Sequence, residues 1–347
     1  MKKILFYLCG IYNGGTEIET LNLMKNLSKE GYELLYYYHD KQNSYDVMVQ
    51  EYNHYANYID IKNKVNVDTV IYCTHALDDI DLINNIEYKH SYFWFHYFWD
   101  DQEKFLEIGL KRNYIDKVIT VSKYAQKKIQ AMPWLKNRKN DVEFIFNILD
   151  ENEIIEKSKQ KIPLERVNGL NLVTVARFAP IKGYHRVKQM IDILIQENIN
   201  FKWYIVGKGN GEKEHNEVVE MLKGYDKNVE LVGHKSNPLP YVKNADYLVL
   251  MSDRETSGLV ITEAKIIGTP CIVSNFEASY EQITDGENGF IIDRNNVNEF
   301  RSRLPEVLQS TEKMRKNLRN FKYSKKDILK SGKKYCRPKG GFYESCI

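Results

Sequence analysis

The sequence is poor in several features that would assign a class at once. Its five cysteines (Cys9, Cys73, Cys271, Cys336 and Cys346) are odd in number and include no CxxC pair. That argues against a disulfide framework or a zinc site, and a reducing compartment fits better. No stretch approaches the ~20 apolar residues that a membrane helix needs. The opening MKKILFYLCG is basic, then apolar, but the apolar part stops at Cys9 and runs into Gly10, Asn13, Gly14 and Gly15. It is too short for a signal peptide and lacks a cleavage site, so a buried first strand is expected. Charge excess is missing as well: Lys and Arg total 50 against 47 Asp and Glu, and net charge gives no argument for a nucleic-acid partner. Low-complexity tracts and repeats of solenoid period are absent. The expectation is a cytoplasmic protein, with peripheral contact at the inner face of the cell membrane as its one membrane association.

What remains is a globular composition, 43% hydrophobic and 28% charged, on a chain of 347 residues. That length exceeds one core of ordinary size and predicts two domains. Apolar runs of strand length alternate with helical patterns: ILFYLCG, ELLYYYH, TVIYCTH, SYFWFHYF, KVITVS and VEFIFN, with amphipathic segments at 17–30 and 102–111 between them. The pattern restarts with LNLVTVA, FKWYIVG, VELVGH, DYLVLMS, PCIVS and GFIID. Short continuous apolar strands alternating with helices indicate parallel sheets covered on both faces. The predicted organisation is a Rossmann-like domain over 1–150, a charged linker over 151–168, a second Rossmann-like domain over 169–315 and a basic tail over 316–347. Two doubly wound domains place the expected ligand in a cleft at the carboxyl ends of their strands.

The strongest local signal is SDRETSGLVITEA, 252–264. A strand ends at Ser252 and a helix begins near Gly258, with Glu255 in the loop and Glu263 on the second turn. Free N–H groups and the dipole at such a helix start suit a diphosphate, and flanking carboxylates suit sugar hydroxyls. Solvated glutamates on an ordinary helix would read the same way. A second signal is VARFAPIKG, 175–183, where Arg177 and Lys182 could neutralise charge on a diphosphate leaving group.

Glu255-x7-Glu263, with AKIIGTPCIVSNF and DGENGFI after it, resembles the signature of retaining glycosyltransferase family 4, as found in bacterial capsule and cell-surface polysaccharide synthesis. The resemblance implies the GT-B fold: α/β, two Rossmann-like doubly wound domains with an interdomain cleft. It implies that Glu255 contacts the donor hexose, that Thr256, Ser257, Gly258 and Leu259 hold the diphosphate, and that Glu263 takes the ribose. Where the family often has Gly-Phe after the first Glu, this sequence has Thr256-Ser257, a departure that bears on donor selectivity. Arg177 and Lys182 fall where the family has its phosphate cations. Gly207-Lys208-Gly209-Asn210-Gly211 is a poor match to GxGxxG and does not open its domain. In the family this position is a glycine turn beside the nucleotide, with Gly233 and His234 near the base.

In the first half, Gly14-Gly15-Thr16-Glu17 joins strand to helix, and the family often has a similar Gly-Gly-x-Glu; Gly15 is then donor-binding and Thr16 an N-cap. His96, in an aromatic run, fits a packed core; by resemblance it faces the donor's anomeric region. Asn147 and Asp150 keep two positions of the family's Pro-Asn-Gly-Val-Asp. Asp79-Ile80-Asp81 spells the DxD of metal-dependent enzymes of another fold, but its amphipathic context fits a solvated helix face, and no metal or other cofactor is expected. Residues 104–139 hold ten Lys or Arg against two acids, with Met132 and Trp134 among them. Such a surface fits either solvent or anionic lipid.

The implied function is transfer of a hexose-type sugar from a nucleotide diphosphate sugar to a hydroxyl acceptor, a lipid-linked saccharide fitting the basic stretch. Two other readings stay open. One is a nucleotide-sugar epimerase of the same fold, which would turn over donor without acceptor. The other is a non-catalytic partner subunit, against which the presence of Arg177, Lys182, Glu255 and Glu263 argues.

Overall fold

In the computed structural model, residues 2–12, 14–74, 80–97, 100–135, 138–209 and 211–323 are described. They divide after Leu149 into two compact units.

The first unit is built on a parallel sheet of β1 (Lys3–Gly10), β2 (Glu33–Asp40), β3 (Asn57–Tyr58), β4 (Thr69–Tyr72), β5 (His90–Phe95), β6 (Lys117–Thr120) and β7 (Val142–Phe144). The strand order is β3-β2-β1-β4-β5-β6-β7. Ile4, Leu5, Phe6, Tyr7 and Leu8 are all fully buried, as a strand covered on both faces requires. Helices α1 (Gly15–Lys29), α2 (Asp46–Asn53), α3 (Asp100–Lys111) and α4 (Lys123–Gln130) connect the strands. Tyrosine supplies much of the packing, and its hydroxyls are satisfied: Tyr36 donates to Asn53 Oδ1 at 2.7 Å and Tyr52 to Glu17 O at 2.9 Å, as buried phenols need. Helix α1 begins earlier than the sequence predicts. Gly14 stands at its N-cap without a side-chain bond, and Thr16 is already inside the helix and buried.

The second unit starts where a linker is expected. Glu151–Ser158 is a helix, α5. Asp150 caps it by accepting from Glu153 N at 3.1 Å, Lys157 pairs with Glu153 at 2.6 Å, and Ile154 is buried. A cap and one i,i+4 pair suffice because tertiary packing completes the helix. Helix α5 lies against α8 and α9 of the second unit, so 151–158 belongs to that unit. The rest is α6 (Tyr184–Gln196), α7 (Glu212–Met221), α8 (Leu239–Asn244), α9 (Leu259–Ile267), α10 (Ser279–Gln282) and α11 (Glu299–Leu318) around six strands. These are β8 (Leu170–Val175), β9 (Phe201–Val206), β10 (Val229–Gly233), β11 (Tyr247–Leu250), β12 (Cys271–Ser274) and β13 (Gly289–Ile292), in the order β10-β9-β8-β11-β12-β13. The order reverses direction between β8 and β11, which makes their carboxyl ends the natural place for a ligand.

Among the described residues, no helix is long and apolar enough to cross a membrane. Most of the tail expected over 316–347, with its crossing onto the first domain, falls outside the described residues, and α11 ends at Leu318. Asp79 is likewise outside them, while Asp81 pairs with Arg112 at 3.0 Å on the surface.

The basic stretch is less open than its charge count implies. Lys111 pairs with Glu107, Arg112 with Asp81, and Lys117 with Glu143. Arg138 binds Asp141 at 2.7 Å and donates to the carbonyls of Leu110, Ile115 and Asp116, so it is structural. Trp134 and Met132 pack partly against the core. Lys127 and Lys139 are exposed and carry no ion pair among the described residues.

Candidate active site

Strands β8 and β11 are neighbours, with Val173 beside Leu248. The loop leaving β8 carries Arg177 and Lys182, and the loop leaving β11 carries Glu255. Three contacts hold the loops together. Asp253 N donates to Ile181 O at 2.8 Å. Arg186, almost buried at the start of α6, donates to Met251 O at 3.1 Å and Arg294 O at 2.8 Å, and pairs with Asp253 at 2.5 Å. Gly183 has φ +67°, and a Cβ there would stand 1.9 Å from Met251 O; only glycine permits both the conformation and the approach.

At the top of this seam Lys182 Nζ donates to Glu255 Oε1 at 2.6 Å, and Ser252 Oγ donates to the same oxygen at 2.7 Å. Both charged side chains are mostly buried, at 20% and 14% exposure. The cation and carboxylate read separately in the sequence are therefore partners in the folded protein. Arg177 is exposed, without an ion pair among the described residues. Thr256, Ser257 and Gly258 follow Glu255, and α9 begins at Leu259 with Gly258 as its N-cap. In its first turn Ile261 N donates to Gly258 O at 2.9 Å, while the N–H groups of Leu259 and Val260 have no intrahelical acceptors.

Glu263 sits on the second turn of α9, partly covered and with no hydrogen-bond partner among the described residues. Burial pushes its carboxyl up to about 7, opposed by the Lys157 ammonium. Lys157 comes from α5, so the expected linker contributes a charge to the site.

The glycine turn adjoins the same edge. Gly207 N donates to Gly233 O at 3.0 Å, and Phe178 N donates to Lys208 O at 2.9 Å. A Cβ on Gly207 would meet Ala176 O at 1.9 Å, so close approach of β9 to the cation loop explains that glycine. His234 lies beyond Gly233, its pKa lowered by partial burial and by Lys208 and Lys235. Arg177, Lys182, Gly207, Gly233, His234, Glu255, Thr256, Ser257, Gly258, Leu259 and Glu263 thus all belong to the carboxyl side of one sheet.

Gly15 and His96 belong to the first unit. His96 follows β5, is buried, and has its ring 4.6 Å from that of Trp94. Its Nε2 has no hydrogen-bond partner among the described residues, and burial pushes its pKa down to about 3, which favours the neutral imidazole. Sequence reasoning missed Arg186, which reads as a polar interruption of an apolar helix face. It also missed Gln282, whose side chain donates to Ser257 O and accepts from Thr262 Oγ1 at 2.9 Å; nothing in its local sequence marks it.

The raised pKa of Glu263 has a thermodynamic sign. Its folded value, about 7, lies above its ordinary value of 4.5, so the fold holds a proton that the unfolded chain has released, and stability falls as pH rises between those values. Glu263→Gln removes that dependence. Thermal unfolding of the ligand-free protein should show the variant gaining on the wild type from pH 5 to pH 8; a pH-independent difference would contradict the assignment.

Comparison with known proteins bears on the family and the fold. Residues 155–325 match the family model described as Glycosyl transferases group 1. The capsular polysaccharide biosynthesis glycosyltransferase CapM of Staphylococcus aureus is 25% identical over 211 residues, 61% of this chain and 54% of that protein. An uncharacterized glycosyltransferase of Haemophilus influenzae is 25% identical over 338 residues, 90% of this chain and 92% of that one. In fold, the chain is similar to Anabaena Alr3699/HepE, solved in complex with UDP-glucose, with a TM-score of 0.71 at 17% identity over 97% of this chain and 98% of that one. A Glycosyl transferases group 1 match over the second unit and two Rossmann-like halves of GT-B fold make the chain similar to glycosyltransferases in sequence and in fold.

Proposed function

We propose that the chain transfers a hexose from a nucleoside diphosphate sugar to a hydroxyl of a saccharide acceptor, with retention at the anomeric carbon. The observation that carries this reading is the Lys182–Glu255 pair at the start of α9, with Glu263 two turns along the same segment and exposed Arg177 on the neighbouring loop. In this reading the diphosphate lies on the N–H groups of Thr256, Ser257, Gly258 and Leu259. Arg177 and Lys182 neutralise it as the glycosidic bond breaks, which is where fixed charges act most strongly. Glu255 accepts from hexose hydroxyls and Glu263 from the ribose, while Gly207, Gly233 and His234 flank the nucleoside. The complex of Alr3699/HepE with UDP-glucose supports a donor of this class.

The departing diphosphate takes the acceptor proton on the face from which it leaves, so the acceptor oxygen bonds to the anomeric carbon on that same face. In the first unit Gly15 and His96 are proposed to face sugar; a neutral His96 acts there through a hydrogen bond and not as a cation. A metal is not needed in this scheme, because two side-chain cations supply the positive charge.

The acceptor proposed is a lipid-linked saccharide of surface polysaccharide synthesis, the chain meeting its lipid at an anionic inner membrane face. The capsular role in the name of CapM supports the first part, and exposed Lys127 and Lys139 support the second.

Three outcomes test these proposals. Glu255→Gln and Lys182→Ala should each lower kcat/KM by about a hundredfold or more while leaving the fold intact by circular dichroism; wild-type turnover by either removes the central argument. Transfer should survive EDTA, and loss on chelation with recovery on manganese or magnesium would replace the cation scheme with a metal. The protein should cosediment with anionic vesicles at low salt and leave them as salt shortens the screening length from ~10 Å at 0.1 M. Combined Lys127→Glu, Lys128→Glu and Lys139→Glu should release it. Arg138 is kept, since its loss would disturb the fold. A wild type that stays in the supernatant at low salt ends the membrane proposal.

A further inference from the structure

Helix α10 is a single turn, and its last residue is tied to the start of α9 from several sides. Gln282 Nε2 donates to Ser257 O and, at 3.5 Å, to Gly258 O. Its Oε1 accepts from Thr262 Oγ1 at 2.9 Å. Its own carbonyl accepts from Lys265 Nζ at 2.8 Å, and that ammonium lies 4.4 Å from the centre of the Phe321 ring. The amide orientation follows from this network, because the reversed side chain would set an oxygen against two carbonyl oxygens.

These bonds fix a peptide plane. The chain has no cis peptide among its described residues, and in a trans peptide C=O and N–H point in opposite directions. Drawing Ser257 O toward α10 turns the N–H of Gly258 away from it. Gly258 O lies 3.5 Å from the same amide, but it accepts from Ile261 N at 2.9 Å, and that bond of α9 sets the N–H of Leu259. Gly258 sits at φ +66°, a conformation in which the plane turns at no steric cost. The two amides are at the end of α9 that carries the positive pole of its dipole.

We propose that Gln282 is a positioning residue for the donor diphosphate: it locks the Ser257–Gly258 peptide, next to the Gly258–Leu259 peptide that α9 itself holds, so that both N–H groups receive phosphate oxygens. This rests on the proposed placement of the diphosphate at α9. Gln282 touches no ligand atom itself. Donors fixed before the ligand arrives need no reorganisation when charge develops, and a peptide released to rock loses part of a charge-assisted bond.

The test is calorimetric binding of UDP, GDP and ADP, and of the corresponding nucleosides, to the full chain. It uses wild type, Gln282→Leu, Thr262→Val and Lys182→Ala. Gln282→Leu keeps the bulk and removes both donors. It should weaken the preferred diphosphate about tenfold, the scale of one to two hydrogen bonds, and leave the matching nucleoside unchanged. Thr262→Val, which frees the amide to turn, should move the diphosphate alone in the same direction by less. A merely structural role would weaken nucleoside and diphosphate together, and that result overturns the proposal. So does unchanged diphosphate affinity in Gln282→Leu or, if that variant does not fold, in Thr262→Val. Wild-type affinity in Lys182→Ala, or no diphosphate binding by the wild type, instead removes the donor reading on which the proposal stands. Loss in Lys182→Ala beside no loss in Gln282→Leu removes Gln282 alone.

Discussion

Two parallel strands, β8 and β11, lie side by side, yet the chains leaving them must turn away to opposite sides of the sheet. Whatever binds between those chains needs them held at a fixed separation against that divergence. Arg186 does most of the holding: one guanidinium reaches Met251 O, Arg294 O and the Asp253 carboxylate. Gly183 lets the backbones meet where any side chain would intervene. Only with the seam closed can Lys182 and Glu255 come within 2.6 Å. A largely covered ion pair returns little net stability, because desolvation offsets its attraction. Its consequence here is geometric, a cation and a carboxylate aligned before any ligand arrives.

How far the sequence disclosed this depends on the kind of signal each residue leaves. Runs such as LNLVTV and FKWYIV could only be buried strands, and both are. Helix α5 left almost no apolar signal because Ile154 is its one large buried side chain; its stability comes from a cap and from neighbours distant in sequence. Helix α11 carries Pro305 inside it, a residue that by itself argues against a continuous helix. The spacing of Glu255 and Glu263 was legible through resemblance. Their unlike environments were not, since Lys182 lies 73 positions from Glu255 and Lys157 precedes Glu263 by an entire subdomain. Charge counting misled over 104–139 for a related reason. It misses partners outside the stretch, Asp81, Asp141 and Glu143, and Arg138 is engaged in the fold.

The contrast between the two glutamates has a consequence for the proposed donor. Glu255 Oε1 already accepts from Lys182 and Ser252, so a sugar hydroxyl arriving there exchanges one hydrogen bond for another. Such exchanges add little affinity. They discriminate instead, because a ligand that draws Lys182 away without replacing it leaves a covered carboxylate short of donors, and that penalty falls only on the wrong sugar. Glu263 has no hydrogen-bond partner to give up among the described residues, and burial, opposed by Lys157, raises its pKa to about 7. Hydroxyls donated to it would be its first, and they favour its charged form. Binding at Glu263 therefore adds affinity and lowers its pKa, so near neutral pH the nucleoside end of the donor binds with release of a proton. On this reading the first glutamate of the pair sets selectivity for the sugar, and the second supplies much of the grip on the nucleoside.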